Sequence, residues 1–164
     1  MTDTGTAAAG TGHEAADENE RAELVTITIA DQLLGIPVLS VHDVLGPQKM
    51  TRIPLAQESI AGVLNLRGRI VTAIDVRRRL GLPPRPEDDP GMSVVVEHNN
   101  EPYSLLIDSV GDVLSVPTKA FEQNPATLDP RWREVSGGIY RLENELLVVL
   151  EVERLLDFND RPVA

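Results

Sequence analysis

Large hydrophobic residues alternate with smaller or polar ones along a short stretch near the start of the chain. Over residues 25–30, valine and isoleucine hold the odd positions and threonine and alanine the even ones. A period of two is typical of a strand with one buried face. Asp31 and Gln32 are predicted to turn the chain into a second strand over residues 34–38.

Residues 62–74, GVLNLRGRIVTAI, predict a second hairpin. Glycine tolerates the positive φ that a two-residue turn needs at its first position, so the turn is assigned to Gly68 and Arg69. The strands are then predicted at residues 62–67 and 70–74. Core packing alone does not explain why polar side chains interrupt this apolar stretch.

A short helix is predicted directly after this hairpin. Asp75 is suited to cap the segment VRRRL, and Gly81 with the prolines after it ends the helix. Residues 83–91 are rich in proline and acids, which neither continue a sheet nor favour burial. They are predicted to form a surface connection.

The two halves of the chain repeat one pattern. SVHDVL at residues 40–45 recurs as SVGDVL at residues 109–114, which is 69 positions later. GVLNLRGRIVTAIDVRRRL at residues 62–80 aligns with GIYRLENELLVVLEVERLL at residues 138–156, which is 76 positions later. The second half therefore carries about seven extra residues between these blocks.

The repeat predicts a mainly β fold of two similar small β-barrels with short helices. One unit is placed at about residues 23–82 and the other at about residues 92–158. A single mixed sheet with a chance similarity remains the alternative. Residues 1–22 have no aromatic or large aliphatic side chain after Met1 and are predicted to be a disordered acidic tail. Residues 159–164 are predicted to be a C-terminal tail.

Composition narrows the range of partners. The chain has 15 lysines and arginines against 26 acids, a net charge of -11, which disfavours binding to nucleic acid and to anionic lipids. It has no cysteine, as is common in a reducing compartment, and no apolar run approaches the roughly 20 residues of a membrane helix. We expect a cytoplasmic protein without direct membrane insertion.

Candidate chemistry is sparse. Three histidines, His13, His42 and His98, lack the pair spacing of a helical metal site. Ser40, His42 and Asp43 have the residue types of a hydrolytic triad, but they are neighbours in one stretch and no nucleophile elbow is present. We therefore assign no catalytic residue, metal or cofactor. A small-molecule-binding barrel or cryptic enzyme would instead require an enclosed polar pocket.

Five motifs in this order resemble the CheW family of chemotaxis adaptors. They are GIPVLSVHDVLG, TRIP, GVLNLRGRIVTAIDVRRRLGL, YSLLIDSVGDVLSV and GGIYRLENELLVVLEVERLL, and the resemblance runs from about Leu24 to Phe158. It implies two SH3-like five-stranded β-barrel subdomains with a groove between them and no enzymatic activity.

The resemblance also implies the partners. CheW-like proteins couple the cytoplasmic tips of methyl-accepting chemotaxis receptors to the regulatory domain of a CheA-type histidine kinase. Such an adaptor is cytoplasmic and joins membrane receptor arrays only through its partners. A scaffold of a chemosensory pathway that does not control flagellar motility is the alternative.

The family's receptor-binding positions can be carried over onto this chain. They fall on Val41, Asp43, Gly62, Asn65, Arg67 and Val113. Asp43 stands where many family members have glutamate, and the shorter side chain is expected to loosen or re-aim its pairing with Arg67. The structural alternative is an ion pair that only tethers the hairpin, with Val41 and Val113 in the core.

Two regions are candidates for kinase binding: exposed barrel strands, and the longer loop of the second unit at residues 121–133. The candidate residues are Phe121, Glu122 and Arg133. A ring of alternating adaptor and kinase needs two different faces on each molecule, which is a heterologous arrangement.

Overall fold

The structure, a computed structural model, describes residues 19–157. The predicted N-terminal tail lies outside this range as far as residue 18, and the predicted tail at residues 159–164 lies wholly outside it. Strand β1 begins at Arg21, so regular structure starts two residues before the predicted domain boundary at residue 23.

Within residues 19–157 the chain forms ten strands and three short helices, as predicted for a mainly β protein. The strands are β1 (Arg21–Ile29), β2 (Gln32–Pro37), β3 (Val41–Leu45), β4 (Ile60–Leu66), β5 (Arg69–Asp75), β6 (Met92–His98), β7 (Glu101–Ile107), β8 (Ser109–Pro117), β9 (Ser136–Arg141) and β10 (Leu146–Leu150). The helices are α1 (Val76–Arg79), α2 (Pro130–Val135) and α3 (Val152–Leu155), with 3-10 turns at Val38–Ser40 and Thr118–Ala120.

The strands form two five-stranded sheets. Sheet I has the order β8-β1-β2-β10-β9, and sheet II has the order β3-β6-β7-β5-β4. Neighbours are antiparallel except for β2 with β10 and β5 with β7, which are parallel. The five-stranded count is confirmed, but the sheets are not closed into true barrels, because no ladder in residues 19–157 joins the end strands of either sheet.

Each sheet takes strands from both halves of the chain. The hairpin β1–β2 belongs to the sheet that β8, β9 and β10 complete, and the hairpin β6–β7 belongs to the sheet of β3, β4 and β5. The expected division at residues 83–91 is therefore not the division between the sheets. The physical reason is that the two hairpins are equivalent in the repeat, so their apolar patterns suit either sheet.

The largest core cluster lies between the sheets. Ile27, Ile29 and Ile36 of sheet I and Leu105 and Ile107 of sheet II are fully buried in it. Smaller clusters occupy the other side of each sheet, around Leu147 in sheet I and Val71 in sheet II. Burying the aliphatic side chains of both halves together makes the two sheets one folding unit.

The hairpin turns lie one residue before their predicted positions. Ala30 and Asp31 link β1 to β2, and Arg67 and Gly68 link β4 to β5, all with positive φ. A turn of this type needs positive φ at both central residues and favours glycine in the second place. The prediction of Gly68 and Arg69 is therefore wrong, and Arg67 stands at the tip of its hairpin.

Helix α1 agrees with its prediction. The Asp75 side chain accepts a hydrogen bond from the backbone N–H of Arg78 at 3.3 Å and caps the first turn. Val76 and Leu80 are buried. Gly81 follows with a φ of 76°, a left-handed conformation that ends a helix at little cost when the residue is glycine.

The repeat extends to two glycines that lie under crossing segments. A Cβ on Gly62 would lie 2.5 Å from the carbonyl oxygen of Thr51, and one on Gly138 would lie 2.6 Å from that of Glu122. Thr51 and Glu122 each form an antiparallel bridge to the residue after the glycine. In both sheets, glycine lets a loop cover an end strand.

One carboxylate joins the two sheets where the chain crosses between them. Asp108, between β7 and β8, accepts two hydrogen bonds from the Arg77 guanidinium, at 3.0 and 2.6 Å, and one from the backbone N–H of Ala30 at 2.9 Å. Arg77 also donates to the carbonyl of Pro83 at 2.8 Å. The Arg77 and Asp108 side chains are only 13% and 15% exposed.

The electrostatics of this junction favour the charged forms. Burial alone would raise the pKa of Asp108, but the hydrogen bonds from Arg77 and Ala30 outweigh it, so the pKa lies below its ordinary value. Hydrogen bonding to Asp108 raises the pKa of Arg77. The pair is therefore ionised across the physiological range.

A second arginine ties α1 to α3. Arg79 of α1 is buried and donates to the carbonyls of Leu155 at 2.7 Å and Arg154 at 2.9 Å. These carbonyls belong to the last turn of α3, where the Arg154 carbonyl also accepts a hydrogen bond from the backbone N–H of Leu156. The helix that follows sheet II is thereby tied to the helix that follows sheet I.

We expect Asp108→Asn to destabilise the fold strongly. Asparagine keeps the shape of the side chain but leaves the Arg77 guanidinium largely buried without its counter-charge. The free energy of unfolding at pH 7 should fall by about 3 kcal/mol, as measured by urea denaturation. Glu58→Gln, which removes an exposed partner of Arg78, is the control and should cost no more than about 1 kcal/mol.

The stability lost in Asp108→Asn should also depend on pH. Because its pKa is lowered on folding, Asp108 stabilises the fold above its unfolded pKa of about 4 and loses this contribution as the pH falls through the folded value. The difference between the wild type and Asp108→Asn should be full at pH 7 and shrink below about pH 4. A difference that stays constant down to pH 2 would contradict this explanation.

Gly62→Ala should destabilise the protein by about 2–3 kcal/mol, because the new Cβ collides with a backbone oxygen. Thr51 cannot move away freely, since its N–H and carbonyl both bond to Val63 at 2.8 Å. Gly46→Ala is the matched control, because no atom lies within 4 Å of a Cβ at that position. Equal unfolding temperatures for the two variants would exclude this role of Gly62.

Candidate functional site

Asp43 and Arg67 meet across the open side of sheet II. Asp43 lies on the end strand β3, and Arg67 follows the other end strand, β4. Their side chains form an ion pair of 2.9 Å, and the predicted pairing is therefore confirmed. The Asp43 carboxylate also accepts a hydrogen bond from the backbone N–H of Val44 at 2.9 Å, so the shorter acid still reaches its partner.

Most of the Arg67 side chain remains available to a partner. It is 76% exposed even with Asp43 beside it, whereas Asp43 itself is 23% exposed. A pair this open to water contributes little to stability. The arrangement fixes the carboxylate and presents the guanidinium to solvent, where it could donate to another molecule.

A shallow groove of about 200 Å³ runs past this pair. Its lining includes the partly exposed Leu66 and Pro102 above the buried Val71 and Val95, with Arg69 and Glu97 as charged residues. His42 approaches Glu97 at 3.9 Å. Such a groove offers apolar contact with charged groups of both signs at its margin, which suits an amphipathic partner.

Two of the other predicted receptor-binding residues, Asn65 and Gly62, support the structure of the same hairpin. The Asn65 side chain accepts a hydrogen bond from the Gly68 N–H at 3.0 Å, which supports the turn that carries Arg67. Gly62 is buried beneath Thr51. Asn65 is exposed and can also contact a partner. Gly62 is buried, and its lack of a side chain lets the loop at Thr51 pack against β4.

The two valines differ in burial. Val41 is half-buried and packs against the main core, in agreement with the structural alternative. Val113 lies on β8 of sheet I and is 57% exposed, so core packing does not explain it. Val113 is not part of the groove beside Arg67, and the structure places it on the other sheet.

A second surface surrounds Phe121 on sheet I. The exposed Phe121 ring contacts the ring of Tyr140, with centroids 5.4 Å apart, and burial raises the pKa of Tyr140. Glu122 forms an ion pair of 2.9 Å with Arg141. An open apolar groove of about 490 Å³ adjoins Phe121.

Arg133 lies in helix α2 and bonds to the segment that precedes this helix. Its guanidinium donates to the carbonyl of Leu128 at 2.9 Å and, more distantly, to that of Ala126 at 3.4 Å. The structure therefore brings Phe121 and Glu122 together at one surface. Arg133 instead stabilises the loop at Ala126 and Leu128 through its hydrogen bonds.

Several exposed apolar residues were missed by the sequence interpretation. Leu39 is 96% exposed and lines the groove beside Phe121, and Ile53 and Leu55 are exposed in the loop between β3 and β4. Leu39 lies two residues after Pro37 in a 3-10 turn, where alternation no longer assigns a face. This break in the period was the one available signal.

Residues 19–157 contain neither a metal-binding cluster nor a membrane-spanning helix. No group of three or more His, Asp or Glu side chains in that range is arranged to hold a metal ion. No helix in the same part of the chain is long and apolar enough to cross a membrane.

Sequence comparison links the chain to chemotaxis proteins. Residues 23–159 match a family model described as "CheW-like domain". A probable chemotaxis protein CheW of Rhizobium etli is 27% identical over 142 residues, which is 87% of this chain and 92% of the relative. The chemotaxis protein CheW of Helicobacter pylori is 26% identical, covering 90% of this chain and 89% of the relative.

Structural comparison agrees. The scaffolding protein TtCheW from Thermoanaerobacter tengcongensis superposes with a TM-score of 0.76 and 26% sequence identity, covering 87% of this chain and 97% of that one. The family model spans well over half of the 164 residues. The chain therefore belongs to the CheW family of chemotaxis scaffold and adaptor proteins.

Proposed function

We propose that this protein is a non-catalytic adaptor that couples the cytoplasmic tips of methyl-accepting chemoreceptors to the regulatory domain of a CheA-type histidine kinase. It works in the cytoplasm and reaches receptor arrays through these partners. The observation that carries the proposal is the presence of two different exposed surfaces on one folding unit, the Arg67 groove of sheet II and the Phe121 groove of sheet I.

The Arg67 groove is the receptor-binding surface in this proposal. An amphipathic receptor helix would lay its apolar face against the partly exposed Leu66 and Pro102 of the groove, while Arg67 donates to an acidic or carbonyl oxygen on the helix. Asp43 holds the arginine in place, and Asn65 supports its turn. Val113 would contribute from the neighbouring sheet, and Gly62 indirectly through its loop.

The Phe121 groove is the kinase-binding surface. An exposed aromatic ring beside an apolar groove is typical of residues that dominate binding energy at protein interfaces. Glu122 and Arg141 add a charged pair at its margin, and Arg133 maintains the loop. Holding receptor and kinase in one geometry would raise kinase output without any chemical step by the adaptor.

Arg67→Glu should abolish stimulation of the kinase by receptors. Loss of a charge-assisted hydrogen bond costs about 1.5–3 kcal/mol, so receptor binding should weaken by about 10-fold to 100-fold. The measurement is kinase autophosphorylation with receptor fragments and the cognate kinase, without adaptor, with the wild type and with the variant. Unchanged stimulation by a folded Arg67→Glu protein would remove Arg67 from the receptor site.

The exchanged pair Asp43→Arg with Arg67→Asp separates the two roles of this arginine. The exchange restores the ion pair, so a purely structural role predicts wild-type stimulation. A receptor contact requires the guanidinium at position 67, and stimulation then stays low although the ion pair is restored and the unfolding temperature is close to that of the wild type. Failure of the wild type itself to bind either partner would refute the adaptor function for that pathway.

Phe121→Ala should weaken kinase binding and spare receptor binding. Removing an aromatic anchor typically costs 2 kcal/mol or more, a loss of about 30-fold in affinity. Titration calorimetry with the isolated kinase regulatory domain measures it. Leu55→Ala, which truncates a fully exposed apolar side chain on the other sheet's loop, is the matched control. Equal losses in both variants would argue against a specific surface at Phe121.

A further inference from the structure

Two polar groups are buried without a partner beside one small hollow. The Nε atom of Arg85 and the Oγ atom of Ser93 are buried, and neither has a hydrogen-bond partner among residues 19–157. Arg85 also forms none of the ion pairs in that part of the chain. A buried polar group without a partner destabilises a fold, so these two groups require an explanation.

The hollow lies on the side of sheet II that faces away from the main core. Ser93 of β6 pairs with Leu106 of β7, and Ser104 is two residues from Leu106 on the same face of the sheet. The buried Leu64 of β4 belongs to the small core cluster on this side. Residues of the β3–β4 loop and of the connection before β6 complete the lining of the hollow.

The serines occupy positions that would suit apolar side chains. Ser93 and Ser104 are 3% and 1% exposed, and they share their face of the sheet with Val95 and Leu106. A buried serine usually bonds to a nearby polar group of the protein, but the Ser93 hydroxyl has no such bond within the described residues. It is therefore able to donate to a molecule in the hollow.

Arg85 gives the hollow a positive charge. Its guanidinium packs on Gly91, where a Cβ would lie only 2.7 Å from the Arg85 Nε. Arg85 helps to lower the pKa of Asp108, but that carboxylate is bonded to Arg77 and Ala30. No acidic side chain of residues 19–157 lines the hollow. A cation and hydroxyl groups without an acid in the lining suit an anion.

The size and lining of the hollow narrow the class of ligand. Its volume is about 60 Å³, whereas one water molecule takes up roughly 30 Å³ in the liquid. Leu64, Leu106 and Met50 give it an apolar side. We propose that the hollow binds a short-chain carboxylate of the size of acetate, whose oxygens accept hydrogen bonds from Arg85 and Ser93 and whose methyl group contacts the leucines. Two water molecules are the alternative occupants.

Such a ligand would lie between two connecting segments. Arg85 belongs to the connection before β6, and Met50 belongs to the loop that joins β3, the strand of Asp43, to β4, which leads to Arg67. A carboxylate bound to both segments would stabilise this loop. The site would therefore couple a small anion to the segment that joins the two strands beside the Arg67 groove.

Thermal unfolding of the full chain at pH 7 tests the site, with acetate and chloride compared at equal ionic strength. A ligand of so few atoms binds weakly, and a Kd of about 0.5 mM is expected. At ~50 mM acetate, which is about 100 times this Kd, the unfolding temperature should rise by about 5 °C. Acetamide, which has the same shape without the charge, and pivalate, which is too bulky for the hollow, should give no such shift.

Three variants assign the effect to the hollow. Arg85→Met removes the charge and keeps an unbranched side chain, so the acetate shift should disappear. Arg52→Met makes the same change at an exposed position outside the hollow and should keep the full shift. Ser93→Ala should weaken acetate binding by about 10-fold, and it keeps the test valid if Arg85→Met fails to fold.

The site would also be located directly by acetate titration of the amide NMR spectrum, with saturable shifts at Gly91 and Ser93. A wild type that acetate stabilises no more than chloride does would overturn the proposal and leave the hollow to water. An equal response to acetamide, or an equal acetate shift in Arg85→Met or Ser93→Ala, would overturn it as well. None of these measurements uses a receptor or kinase, so their outcome is independent of the adaptor function.

Discussion

The Asp108 carboxylate helps to fix the position of sheet I relative to sheet II. It lies where the chain leaves sheet II for sheet I, and it accepts hydrogen bonds from a helix that follows one sheet and from a turn within the other. Because the group is mostly buried, these bonds are screened little by water. The candidate receptor and kinase surfaces lie on different sheets, so their separation depends on this junction.

The two copies of the repeat share backbone features but differ in side-chain chemistry. Gly62 and Gly138 both lie beneath a crossing carbonyl, and a short helix follows both hairpins. At the open side, however, one sheet has the ion pair of Asp43 with Arg67, whereas the equivalent positions of the other are Asp112 and Glu143. The shared geometry supports the fold, and the differing charges allow the two faces to bind different molecules.

The sequence was informative wherever a local rule decides the outcome. Alternation identified the strand that buries Ile27, the cap at Asp75 followed from its side-chain chemistry, and the repeat pointed to the pairing of Asp43 with Arg67. All three depend on interactions within a few residues or on one comparison between the halves.

Strand partners and exact turn positions were harder to predict, because several strand pairings and turn positions fit the same sequence pattern. Hairpins β1–β2 and β6–β7 are equivalent, so alternation could not say which sheet each would join. The turn at Arg67 and Gly68 differs by one residue from the predicted one, since glycine suits both types of turn. The burial of Gly62 depends on a loop eleven positions earlier, at Thr51, for which no periodic signal exists.

The exchange of hairpins between the halves has a consequence for how the chain reaches its native state. Leu34 pairs with Val148, so the β1–β2 hairpin must wait until β10 has been synthesised before its sheet is complete. Contacts so distant in sequence slow folding, since a long loop must close before they are made. During that interval the apolar face of β1 and β2 is exposed to aggregation or to chaperones, and neither half can mature alone.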